Sequence, residues 1–141
     1  MWYLIHLQEY DSMLSKIDLN KIGGVILDSC LAVHRILGPG LLESAYTIAL
    51  VRELNLRGLF IRTQVPVELS YKEKPLGKVY VIDILVEDEI ILEIKSVTAI
   101  EPIFKAQLIT YLKLYQKKLG YLINFNVPLL KEGFHRIVYQ F

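Results

Sequence analysis

Three charged side chains interrupt two otherwise apolar segments of the sequence. Asp83 lies within residues 79–86, and Glu93 and Lys95 lie within residues 90–95. Such groups are costly to bury unless they are paired or bind a metal. Two carboxylates can hold a hard divalent cation such as Mg²⁺, and a neighbouring lysine can stabilise negative charge, which suits hydrolysis of a phosphodiester. A buried ion pair with a purely structural role is the alternative.

The loop between these segments decides whether the charged groups can meet. Residues on adjacent antiparallel strands share a face of the sheet only in the right register. A two-residue turn at residues 87–88 would pair Asp83 with Leu92 and would turn Glu93 to the opposite face. A three-residue loop at residues 87–89 pairs Asp83 with Glu93 instead, and Lys95 then follows on the same face. We predict the three-residue loop.

The pattern of apolar residues predicts the element order ααβββαββ, with a Gly-Pro-Gly turn between the first two helices. The helices are predicted at about residues 18–37, from Leu42 to Gly58, and from Pro102 to Gly120. The strands are predicted at about residues 60–69, 78–86, 89–97, 121–125 and 134–139. The second and third strands are apolar on both faces, which is typical of central strands covered by helices.

Length and composition predict one folded domain. A chain of 141 residues with 53% hydrophobic residues can bury a sizeable core without a disulfide or structural metal. Residues 1–17 show no clean period, so we expect an N-terminal appendage of uncertain order before a single domain over residues 18–141. The longest segment without Asp, Glu, Lys or Arg, from Leu119 to Leu130, is too short for a membrane helix. Because the N-terminus lacks a secretory signal pattern, we expect a cytoplasmic protein.

The net charge of +1 neither favours nor excludes nucleic acid as a partner. The charge is unevenly distributed, however. Residues 80–101 contain six acidic residues and one lysine, whereas residues 102–141 contain six basic residues and one glutamate. This pattern fits a metal site beside a phosphate-binding surface, and it also fits ordinary surface charge.

Several motifs resemble those of one nuclease superfamily and occur in its order. Asp83 with Glu93-Ile94-Lys95, in an αβββαβ arrangement, resembles the PD-(D/E)XK nuclease superfamily. The segment from Gly40 to Tyr46 looks like the signature of its GxxExxY family. Further motifs that look like this family are His34 to Gly40, Gln64-Val65-Pro66 and Leu122 to Phe125. The resemblance covers about residues 18–140.

The resemblance implies a restriction-endonuclease-like α/β fold with a mixed central sheet flanked by helices. It also implies a nuclease that uses Mg²⁺, or alternatively Mn²⁺, and acts on nucleic acid, DNA more than RNA. Gly40, Glu43 and Tyr46 are three residues apart and share a helix face. The family implies that Glu43 is a third metal ligand beside Asp83 and Glu93, whereas an acid stabilised by the helix dipole is the alternative. Tyr46 is more typical of a core residue than of a catalytic one.

Gln107 and Tyr111 are four residues apart and share a face of the third helix. The pair resembles the Gln-x-x-x-Tyr motif of the RecB-like nucleases, which implies Gln107 beside the metal site and Tyr111 near the nucleic acid. Lys105 and Lys113 are then candidate phosphate contacts, although a solvated helix face explains them equally well.

A noncatalytic module that keeps the nuclease fold and binds nucleic acid or protein is the alternative function. A nuclease should bind Mg²⁺ or Mn²⁺ through its carboxylates, whereas a binding module need not. A homodimer or another protein partner fits either function, and no membrane partner is expected.

Overall fold

The computed structural model describes the backbone of residues 2–141 and the side chains of residues 16–141. The helices are α1 (Trp2–Leu37), α2 (Glu43–Leu56), α3 (Pro102–Tyr115) and α4 (Leu130–Gly133). The strands are β1 (Ile61–Tyr71), β2 (Lys74–Val86), β3 (Ile90–Lys95), β4 (Leu119–Asn124) and β5 (Phe134–Val138). Among the described residues, no helix is both long and apolar enough to cross a membrane.

The five strands form one mixed sheet in the order β1-β2-β3-β4-β5. Only β3 and β4 are parallel, and α3 connects them; the other neighbouring strands are antiparallel. Parallel neighbours need such a crossover, whereas antiparallel neighbours can be joined by a short hairpin. The predicted fold class, a mixed sheet flanked by helices, is therefore confirmed.

Three differences from the predicted elements have local causes. Helix α1 begins at Trp2 rather than near residue 18, since residues 2–22 contain no Gly or Pro that would interrupt a helix. The first hairpin is longer than predicted, because Lys72 and Glu73 both take positive φ and form a tight turn that continues the pairing. A single helical turn, α4, replaces part of the predicted loop before β5, and its Leu130 is buried. The side chains of residues 1–15 lie outside the described part, so the separate appendage over residues 1–17 stays a prediction.

Two hydrophobic cores cover the two faces of the sheet. On one face, α1 and α2 pack against side chains that include Ile84, Leu92 and Ile123. On the other face, α3 packs against side chains that include Leu85 and Leu122. The residues of β3 alternate between these faces, so Glu93 and Lys95 point towards α3.

The strands β1 and β2 change faces part-way along their length. Ile84 belongs to the core under α1 and α2, but Ile82, two residues away, belongs to the core under α3. In a regular strand these residues would share a face. The change occurs at Asp83 and, on β1, at Gln64, whose φ of 52° is left-handed. The first candidate carboxylate therefore lies at the boundary between the two cores.

Candidate functional site

The hairpin from β2 to β3 brings the two central carboxylates together. Val86 pairs with Ile90, so residues 87–89 form the predicted three-residue loop. Backbone pairing continues to Ile84 and Leu92, and the next two residues along the strands are Asp83 and Glu93. At this point the side-chain carboxylates, rather than backbone carbonyls, accept the hydrogen bonds between the two strands.

The N–H of Asp83 donates to Glu93 Oε1 at 3.3 Å, and the N–H of Ile94 donates to Asp83 Oδ2 at 2.9 Å. Each carboxylate is thus fixed by the other strand. The register prediction is confirmed, and the side chains meet as that register requires.

Burial makes this carboxylate pair hard to ionise. Glu93 is only 8% exposed, and burial, followed by the charge of Asp83, raises its pKa to about 8. Burial also raises the pKa of Asp83, against the lowering effects of the Ile94 N–H and the Lys95 ammonium. A cation placed between the two groups would relieve their repulsion.

Lys95 lies beside the pair without forming a close ion pair. Its charge lowers the pKa of both Asp83 and Glu93. Among the described side chains, no carboxylate oxygen lies within 4.0 Å of its Nζ. The ammonium lies 4.5 Å from the ring centroid of Phe104, the third residue of α3. Sequence reasoning missed Phe104, since an aromatic residue in a first helical turn carries no specific signal.

Glu43, the first residue of α2, lies on the wall of a cleft that also contains Asp83. Its Oε1 accepts a hydrogen bond from the Ser96 N–H at 3.4 Å, and its charge contributes to the raised pKa of Asp83. Over the part of the chain with described side chains, no three Asp, Glu, His or Cys residues form a group that could hold a metal. The structure thus pairs Asp83 with Glu93 and leaves Glu43 on the cleft wall, where its role as a third ligand stays a prediction.

Tyr46 fixes the loop that precedes Glu43. It is fully buried, and its ring stacks on Phe125 with centroids 4.6 Å apart. Its hydroxyl donates to the Gly38 carbonyl and accepts from the Leu41 N–H at 3.1 Å. Gly38 has a φ of 65°, which a glycine takes without strain. Tyr46 is therefore a core residue, as its type suggested.

Tyr46→Phe should keep the ring stacking and lose both loop hydrogen bonds. We expect a loss of about 1–3 kcal/mol in the free energy of unfolding, because two part-buried hydrogen bonds, each worth about 0.5–1.5 kcal/mol, are lost. Urea unfolding of the variant and the wild type measures this difference. Tyr71→Phe is the control, since Tyr71 is 62% exposed and should change stability little. Equal effects of the two substitutions would contradict the assigned role of Tyr46.

Ser96 and Asn124 anchor the chain directly after Lys95. The Ser96 hydroxyl donates to the Leu41 carbonyl, which ties the end of β3 to the start of α2. Asn124 is 2% exposed; its Oδ1 accepts from the Val97 N–H at 3.1 Å, and its Nδ2 donates to the Val97 carbonyl at 3.0 Å. Sequence reasoning did not assign these roles. The available signal was an amide at the end of a buried strand.

The sequence model of the PD-(D/E)XK nuclease superfamily matches residues 20–137. The chain belongs to this superfamily. Neither the comparison with curated proteins nor that with solved structures finds a match. Asp83 and Glu93-Ile94-Lys95 lie within the matched range and have the residue types that the superfamily name describes, and their role as its motif residues stays a prediction.

Helix α3 carries two predicted site residues, Gln107 and Tyr111, which differ in their position relative to Asp83 and Glu93. Tyr111 is buried, and its pKa is raised by burial and then by the charges of Glu93 and Asp83, so it lies close to the pair. Gln107 is exposed and lines a separate recess of about 250 Å³ with Tyr111. The proximity of Gln107 to a metal and the contact of Tyr111 with nucleic acid stay predictions.

The two candidate phosphate-binding lysines are exposed on α3. Lys105 faces His135 on β5, whose pKa is lowered by burial and then by the Lys105 charge. Lys113 lies in the last turn of α3. The structure therefore brings Asp83, Glu93 and Lys95 together, and Lys105 and Lys113 lie elsewhere on the surface of α3.

Proposed function

We propose that the protein is a nuclease that depends on a divalent cation and hydrolyses phosphodiester bonds, with DNA preferred over RNA. The observation that carries this proposal is the contact between Asp83 and Glu93, directly beyond the last backbone pair of β2 and β3. Membership of a nuclease superfamily supports the same reaction class. Nucleic acid is accordingly the proposed partner.

The donor atoms of the pair fit Mg²⁺ or Mn²⁺. Magnesium is usually bound through one or two carboxylates, together with waters and substrate phosphates, so Asp83 and Glu93 suffice. Oxygen donors suit these ions, whereas a Zn²⁺ site commonly uses sulfur or imidazole ligands. Burial raises the pKa values of both acids, and for Glu93 the charge of Asp83 adds to this effect; a bound cation would act in the opposite direction. Glu43 is the proposed additional ligand, from the other wall of the cleft.

Each group near the pair has a separate proposed task. When bound, the cation would neutralise charge on the scissile phosphate and lower the pKa of a water. Lys95 would donate to a phosphate oxygen and stabilise the negative charge that develops in the transition state. Phe104 holds its ammonium in place. Without the cation, Asp83 and Glu93 would offer the phosphate no positive charge, so both binding and cleavage should require the ion.

Cleavage assays test this proposal directly. End-labelled single-stranded DNA, duplex DNA and RNA are incubated with the protein in Mg²⁺, Mn²⁺ or EDTA. We expect cleavage with either ion, none in EDTA, and faster cleavage of DNA than of RNA. A matched incubation of Glu93→Ala controls for contaminating nucleases. A folded protein that cleaves none of these substrates would contradict the proposal and favour a binding module.

A further inference from the structure

The cleft beside Asp83 is large enough for more than the scissile phosphate. It has a volume of about 520 Å³ and lies between α2 and the strands β1 and β2. The side chains of Thr47, Ile48 and Val51 form its helical wall. Binding sites for small molecules commonly have volumes of about 300–1,000 Å³. The cleft therefore has room for a ligand the size of one nucleoside.

The chemistry of the walls favours an uncharged ligand. Glu43 and Asp83 are the charged residues that line the cleft, and both are acidic. An anionic phosphate would be repelled there unless a cation accompanied it. Ile48 is 72% exposed and offers an apolar surface for a flat ring. The base and sugar of a nucleotide fit these walls, while its phosphate would remain at the carboxylate end.

Gln64 supplies a polar contact on the strand wall of the cleft. It lies between the pairs Thr63–Ile84 and Val65–Ile82, and therefore opposite Asp83. Its φ of 52° is uncommon for a residue other than glycine, and such strained positions cluster at functional sites.

A glycine at position 64 would take this backbone conformation without strain. The glutamine side chain adds an amide with two donors and a carbonyl acceptor, the groups that read the edges of bases.

We infer that the cleft binds one unpaired nucleoside next to the bond that is cut, and that Gln64 is the specificity-determining contact to its base. This inference rests on the proposed nuclease function and narrows its substrate. A base in a duplex must leave its stack before it can enter such a cleft. The substrate is therefore a single strand, a flap or a frayed end rather than a fully paired duplex.

The variant Gln64→Gly separates the role of the side chain from that of the backbone. Glycine suits the left-handed conformation, so the melting temperature should be unchanged or higher. The value of kcat/KM for single-stranded DNA should fall by about tenfold, the effect of losing one good contact to a base. The preference for single-stranded over blunt duplex DNA should fall with it.

A matched control is available directly after α3. Gln116 is another exposed glutamine with a left-handed backbone, at φ 58°, and it does not line the cleft. Gln116→Gly should leave both cleavage rates unchanged. If Gln64→Gly behaves like Gln116→Gly, or if blunt duplex is cut as fast as single strands by the wild type, the inference is overturned.

A binding measurement distinguishes failure of this inference from failure of the nuclease proposal. The four deoxynucleosides, which carry no phosphate, are titrated in EDTA while NMR chemical shifts are followed. At least one should shift the amides of Thr47, Ile48 and Thr63 in the wild type and not in Gln64→Gly. Such shifts without cleavage of any substrate would support the nucleoside site and contradict the proposed nuclease function. Cleavage without these shifts would support the proposed nuclease function and contradict the inference that the cleft binds a nucleoside.

Discussion

Replacing Lys95 with alanine should lower the rate of metal-dependent cleavage by about 10²–10³-fold, the usual effect of losing one preorganised donor to transition-state charge. The ammonium lies close enough to Asp83 and Glu93 to lower the pKa of both. It is free of close ion pairs among the described side chains, so its donors remain available for a phosphate.

The fold should tolerate this substitution. The described contact that alanine removes is the one with Phe104, and a partly exposed cation–π contact contributes only about 0.5–1 kcal/mol. Single-turnover cleavage under saturating Mg²⁺ measures the loss, and circular dichroism confirms folding.

Lys131→Ala is the matched control, because this lysine is exposed on α4. Lys95→Arg restores a positive charge with different geometry and should recover only part of the rate. Full activity of Lys95→Ala would contradict the proposed role of Lys95 in stabilising the transition state.

In the metal-free protein, Glu93→Gln should raise the free energy of unfolding at pH 9 by a few kcal/mol. Burial and the neighbouring Asp83 raise the pKa of Glu93 to about 8 in the folded state, above its ordinary value of 4.5. Between about pH 4.5 and pH 8, the folded protein therefore holds a proton that the unfolded chain has released. Stability from this group is fully present below about pH 4.5 and is lost as the pH rises through about 8, at up to about 1.4 kcal/mol per pH unit.

Glutamine keeps the size of the side chain and does not ionise. Urea unfolding in EDTA between pH 4.5 and pH 9 should therefore show a difference between variant and wild type that grows with pH. Glu132→Gln, at an exposed position on α4, should show no such trend. Addition of Mg²⁺ at pH 8 should stabilise the wild type more than Glu93→Gln. A difference that does not change with pH would contradict the raised pKa.

The sequence predicts the hairpin register because, of the two loop lengths considered, only the three-residue loop places Asp83 and Glu93 on the same face of the sheet. It also predicts the superfamily, since the motif residues occur in order along the chain. The GxxExxY and RecB-like assignments stay predictions, as do the metal ligands.

The remaining features depend on contacts between segments far apart in the chain. The left-handed backbone of Gln64, the contact of Phe104 with Lys95, and the bonds of Asn124 to the loop after β3 are examples. None of them has a periodic or spacing signal, because each is set by tertiary packing. The start of α1 was missed for a different reason: its first residues lack an apolar stripe, although nothing in them interrupts a helix.

The change of faces at Gln64 and Asp83 also bears on when the proposed activity would arise during folding. Asp83 lies where the core under α1 and α2 meets the core under α3. A folding intermediate with only one core formed would not hold Asp83 both against Glu93 and on the wall of the cleft. The proposed cleavage would thus require the whole domain to be folded, and a half-folded chain emerging from the ribosome would lack the assembled site.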